Sequence, residues 1–120
     1  MKKLSLTLAA SAMFAFSSGA SAADLVAGKA AFQKFACASC HGADGKTSVM
    51  PSYPVLAGQH QDYLEHSLRA YKRGAAGAPA TSNIRKNAVM GAMVAQLSTA
   101  DIANIAGWLS SLPSPLAVRK

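Results

Sequence analysis

Only two cysteines, three histidines and five acidic residues occur in this 120-residue chain. Two cysteines cannot make a four-ligand zinc site, and His60 and His66 lack the tight paired context that would complete one. No stretch alternates apolar and polar residues as a half-buried strand does, and no segment repeats, so an all-α domain is expected. The length bounds the chain to one domain. No basic run is present. The longest apolar stretch, Leu4 to Phe16, is too short for a convincing membrane span.

That stretch has another reading. Met1-Lys2-Lys3 is a basic start, Leu4 to Phe16 is mostly apolar, and Ala20-Ser21-Ala22 has the small-x-small form of a signal-peptidase site. An export signal over residues 1–22, cleaved after Ala22, is therefore expected, leaving a domain over 23–120 in the periplasm. Losing Lys2 and Lys3 lowers the formal net charge by two, from +7 to +5. The remaining excess suits acidic partner surfaces or an anionic membrane surface, while it also serves solubility. Nucleic acid is not expected as a partner of an exported chain without a basic run.

Cysteines in an oxidising compartment tend to pair as disulfides. Here they stand as Cys37-Ala38-Ser39-Cys40-His41-Gly42. The thiols are one helical turn apart, within reach of the two vinyl groups of one porphyrin, and an imidazole follows the second. A dithiol redox centre would want a strand-helix-strand context, and gives no role to the histidine. The C-x-x-C-H order points to covalent haem attachment, with His41 on the iron. A small domain buries little core of its own, and a large apolar macrocycle would supply its centre.

Around this site the chain reads as helices and loops. Leu25, Gly28, Phe32 and Phe35 share one helical face, so residues 24–36 are expected to be helical, with Asp24 as cap. Gly28 in a helix interior suggests close approach of another helix. Residues 42–57 carry Gly45, Pro51 and Pro54 and read as a loop; the Pro54 neighbourhood is a plausible source of a carbonyl for the free nitrogen of His41. Leu64, Leu68 and Tyr71 predict a second helix over 60–73, ending at Gly74. Ser98 and Asp101 form a capping-box variant opening a last helix to about Leu112, and Gly28 and Phe32 should pack near Gly107 and Trp108. Between them, a flexible loop carries Met90 and Met93, thioethers that could fill the second axial position; Met50 and His60 are the other candidates.

Four groups of residues in order resemble class I cytochrome c, and more closely small bacterial monohaem cytochromes and single domains of the periplasmic dihaem cytochromes c-four. They are Gly28-x-x-x-Phe32 before the C-x-x-C-H motif, Asp44-Gly45, Tyr53-Pro54-x-Leu56-Ala57-Gly58-Gln59, and Met90-x-x-Met93 before Leu97-Ser98-x-x-Asp101-Ile102. The resemblance implies N- and C-terminal helices crossing, with loops wrapping one haem c per chain. It implies thioethers at Cys37 and Cys40, His41 as the proximal ligand oriented by the Pro54 carbonyl, and Met90 as the sixth ligand, with Met93 as fallback. A second C-x-x-C-H is absent, so the likeness is to a monohaem form.

The expected function is one-electron transfer between respiratory donors and an acceptor such as a terminal oxidase, not enzymatic catalysis. Partners would be redox proteins, with peripheral membrane association through their complexes. The alternatives are a haem subunit of a dehydrogenase complex and a five-coordinate haem sensor or peroxidase; the latter needs an open distal face, where the chain offers Met90.

Overall fold

Asp24 starts the first helix, α1 (Leu25–Lys34), because its carboxylate accepts from the amides of Val26 and Ala27, both at 2.9 Å. The computed structural model describes residues 22–115. The expected export signal, residues 1–22, lies outside the described residues except for Ala22. After α1 come a single helical turn, α2 (Ala38–His41), and a long helix, α3 (Gln61–Ala75). A 3-10 turn (Ala80–Ser82), α4 (Ala88–Ala95) and α5 (Thr99–Ser111) follow. The described residues include no strand, and no described helix is long and apolar enough to cross a membrane.

The terminal helices α1 and α5 cross where α1 has no side chain. A Cβ on Gly28 would overlap the Asn104 carbonyl and stand 2.8 Å from Trp108 Cβ. One turn along, the Phe32 and Trp108 rings lie 5.0 Å apart at 52°, a tilted pairing that suits aromatic quadrupoles. The Asp24 amide, on the N-cap of α1, donates to Asn104 Oδ1 at 2.9 Å. The expected pairing of Gly28 and Phe32 with the Trp108 region is thus what the helices do.

Ser98 and Asp101 cap α5 reciprocally: Asp101 N donates to Ser98 Oγ at 3.0 Å, and Ser98 N to Asp101 Oδ2 at 2.9 Å. The core behind this crossing includes Phe32, Leu64, Val94, Leu97, Ile102, Ile105 and Leu109. Each such side chain contributes roughly 1.5–3 kcal/mol on burial.

Two boundaries differ from expectation. Gly74 does not end α3, which continues to Ala75. It is placed there because the Arg85 carbonyl fills the space a Cβ would take. More consequentially, Met90 and Met93 stand on a helix, α4, rather than on a flexible loop. The Asn87 side chain caps it, accepting from Met90 N at 2.9 Å. The segment Ala88-Val89-Met90-Gly91-Ala92-Met93-Val94-Ala95 is apolar all round, so it has no amphipathic period to betray a helix. Gly91 lets α4 close on Ala75 of α3, where a Cβ would sit at 3.3 Å.

Candidate functional site

The motif begins at a sharp turn. Phe35 to Cys37 leave α1 through Ala36, which takes the left-handed conformation at φ 55°. Cys37 then opens α2, its carbonyl accepting from Cys40 N at 3.3 Å and His41 N at 3.1 Å. One helical turn therefore carries both thiols and the imidazole, as the spacing requires. Cys37 and Cys40 are half-buried. Burial pushes the Cys37 thiol up from its ordinary value, so an uncharged sulfur is favoured there, and a thioether is uncharged.

His41 is 6% exposed. Its Nδ1 lies 3.1 Å from the Pro54 carbonyl oxygen, an acceptor that holds the proton on Nδ1 and leaves the Nε2 lone pair free for a metal. The Tyr53 ring stands 6.1 Å from the imidazole.

The loop that brings Pro54 back is built from short-range bonds. Asp44 accepts from Lys46 N at 2.9 Å, Thr47 N at 2.7 Å and the Thr47 hydroxyl at 2.7 Å, which holds its carboxyl at about 2. The bond from Thr47 N is the largest cause. The Gly45 carbonyl accepts from Leu56 N at 2.7 Å and Ala57 N at 3.0 Å, and Val49 N donates to the Cys40 carbonyl at 3.1 Å. Gly45 has φ 67°, and a Cβ there would stand 2.7 Å from Leu109 Cδ2.

These parts enclose a cavity of about 460 Å³, within the roughly 300–1,000 Å³ of clefts that take small-molecule and cofactor ligands. Cys37, Cys40, His41, Pro54, Met90 and Met93 all line it, with Phe32, Leu56, Leu64, Leu68, Val94, Ile105 and Leu109 among the apolar wall. Its donors are thiols, an imidazole nitrogen and thioethers, the set that holds a c-type haem. A buried hydroxyl, Ser67 Oγ, also lines it without a hydrogen-bond partner. The residues present therefore fit a large, flat, apolar, iron-bearing group.

His60 does not join them: it is exposed at the N-cap of α3 and lines no part of the cavity. Met50 is 48% exposed and lines none of it either. Met90 packs half-buried against the core cluster.

Sequence reasoning gave no role here to Tyr63, Ser67 or Arg85, all of which line the cavity. Tyr63, Ser67 and Tyr71 recur every four residues on α3, a hydroxyl stripe beside the apolar one, and that spacing could have found the first two. Arg85 comes from a loop and has no local signal.

A family model described as "Cytochrome c" matches residues 25–113. Cytochrome c-554(548) of Halomonas halodenitrificans is 42% identical over 78 residues, covering 62% of this chain and 82% of that protein. A "thiosulfate dehydrogenase electron acceptor" of Stutzerimonas stutzeri is 32% identical over 119 residues, covering 96% of this chain and 51% of its own length. The crystal structure of reduced recombinant cytochrome c4 from Pseudomonas stutzeri aligns with a TM-score of 0.66 at 38% identity, over 77% of this chain and 47% of that one. The chain thus spans about half the length of the latter two.

Proposed function

Because the chain belongs to the cytochrome c family and bears one covalently attached haem c on Cys37, Cys40 and His41, we propose that it is a periplasmic one-electron carrier with His41 and Met90 as axial ligands. The observation that carries this reading is the convergence of Cys37, Cys40, His41 and Met90 on one cavity. The haem supplies one-electron exchange at its iron.

The chain's own residues do the rest. Cys37 and Cys40 anchor the ring. The Pro54 carbonyl orients His41 and makes its Nε2 a better donor. The Asn87 cap fixes Met90 in the first turn of α4, so its thioether is presented from a helix. A His/Met pair raises the reduction potential relative to harder ligand sets, which suits electron delivery toward a terminal oxidase. The apolar wall keeps water away and limits reorganisation. Partners are redox proteins with acidic docking surfaces, and membrane association is peripheral, through their complexes.

A second reading, a haem protein serving a dehydrogenase, is favoured by the similarity to the thiosulfate dehydrogenase electron acceptor over 96% of this chain. It keeps the same site and differs in the donor.

The ligand assignment is tested by Met90→Ala and Met93→Ala. Met90→Ala should abolish the weak long-wavelength sulfur-to-iron band of the oxidised protein and let carbon monoxide bind the reduced one. Met93→Ala should do neither. The opposite pattern would make Met93 the ligand.

A further inference from the structure

Gly107 stands buried in the interior of α5, where its backbone is ordinary helix. Glycine there is destabilising relative to alanine, so the position needs a reason other than conformation. The reason is Ala23. A Cβ on Gly107 would overlap the Ala23 Cβ, while Leu25 Cδ2 and Gln61 Oε1 would each stand 3.6 Å from it. The missing side chain leaves a notch on α5, and the residue before the α1 cap fills it.

The next residue is held as well. Asp24 N donates to Asn104 Oδ1 at 2.9 Å, its carboxylate accepts from Val26 N and Ala27 N, and its carbonyl accepts from Gly28 N at 2.8 Å. Asn104 lies three residues before Gly107, on the same side of α5. The amide, carbonyl and carboxylate of Asp24 are thus all engaged within the fold. Ala22, two residues earlier, is exposed.

The bond between Ala22 and Ala23 is the one that Ala20-Ser21-Ala22 marks for cleavage. An extended segment is recognised through its own main-chain hydrogen bonds, as an added strand is. In the folded chain the two residues after that bond are already committed, Ala23 to the notch and Asp24 to Asn104 and α1. We propose that the Gly107 notch, with Asn104, is the binding site for the chain's own processed N-terminus, and that it closes the cleavage site once α1 has docked on α5. Cleavage then belongs to the chain before docking: water adds across the peptide bond, leaving a carboxylate on Ala22 and an amine on Ala23. Docking afterwards keeps Ala23 and Asp24 from aminopeptidases. The inference rests on the reading of export with cleavage after Ala22, and adds what the fold does with the new terminus.

The experiment uses the full chain. Exporting cells depleted of signal peptidase accumulate it with residues 1–22 attached, and membranes carrying the haem-loaded chain are then given the purified peptidase. Wild type is compared with Asn104→Ala, which removes the acceptor for Asp24 N, and with Gly107→Ala, which displaces Ala23 and otherwise suits a helix. Leu97→Ala is the control, since Leu97 belongs to the core and to no part of the notch; it lowers global stability.

Proteolysis of a folded chain follows the population of its opened form, and one hydrogen bond changes such a population roughly three- to tenfold. Asn104→Ala and Gly107→Ala should therefore be cleaved about three- to tenfold faster than wild type, and Leu97→Ala close to the wild-type rate. Mature proteins from undepleted cells, treated with an aminopeptidase and weighed, should show the same order in the loss of Ala23. Equal rates in wild type, Asn104→Ala and Gly107→Ala, or an equal acceleration in Leu97→Ala, would overturn the proposal. A protein from undepleted cells that still carries residues 1–22 would contradict the cleavage reading and the proposal with it, whereas a colourless protein would contradict the haem reading; mass and spectrum of the same samples tell these apart.

Discussion

Gly28 of α1 and Asn104 of α5 meet backbone to backbone, with the Asn104 carbonyl filling the space of the absent Gly28 side chain. This contact sets the distance between the terminal helices, and with it the fit of Phe32 on Trp108 and one wall of the cavity. Because the obstacle is main chain, Gly28→Ala cannot be absorbed by a rotamer change. It should cost about 3 kcal/mol, at or above the top of the usual overpacking range. Denaturant unfolding of the haem-loaded protein measures it, and a cost below about 1 kcal/mol would show that the helices do not cross so closely.

Ala36 offers the opposite experiment. At φ 55° it holds a left-handed conformation that costs a non-glycine residue roughly 1–2 kcal/mol, of which glycine's greater unfolded freedom takes back about 0.5–1. Ala36→Gly should stabilise the protein by roughly 0.5–1 kcal/mol without changing its spectrum. A loss of stability would mean that the turn into Cys37 does not take this form.

Acid should act through Asp44. Its carboxyl is lowered to about 2 by the Thr47 and Lys46 amides and the Thr47 hydroxyl, against an ordinary value of about 3.9. A depressed carboxyl contributes stability that is fully present above the unfolded value and is lost as pH falls through the folded one. Relative to Asp44→Asn, the wild type should therefore be more stable at neutral pH, and that advantage should fade between about pH 4 and pH 2. Asp101, lowered by its bonds with Ser98, should show the same sign in Asp101→Asn. Parallel unfolding curves of wild type and Asp44→Asn across pH, differing by a constant, would contradict the assignment.

Docking is expected to be electrostatic. Among the cations of the described residues, Lys72, Arg73 and Arg85 make internal bonds, while Lys29, Lys34, Lys46 and Lys86 are exposed. Attraction between exposed charges is screened over roughly 8 Å at physiological salt. The rate of electron exchange with an acidic partner should fall steeply as salt rises, and Lys46→Glu or Lys86→Glu should lower it further. A stopped-flow series with a salt-independent rate would assign the charge to solubility.

What could be read from the sequence was local or periodic. Cys37, Cys40 and His41 stand within a single turn, so their spacing reports their geometry directly. Gly28 pointed to a helix crossing because a glycine in an amphipathic helix needs a reason, and Asn104 supplies it. The helix bearing Met90 and Met93 was not legible, since eight apolar residues carry no amphipathic period, and Asn87, its cap, stood within what read as loop. Arg85 was hidden for another reason: it meets Tyr63 across 22 residues of sequence, and only the return of the chain over α3 brings them together.

The most direct test of the central claim is an optical redox titration of purified native wild-type protein, with a separate sample extracted with acid acetone, which denatures the chain and removes haem that is not covalently held. Expected is one haem c per chain that survives extraction and passes through a single one-electron transition between its ferric and ferrous spectra. A colourless chain after extraction, or a haem that shows no reversible one-electron transition, would contradict it.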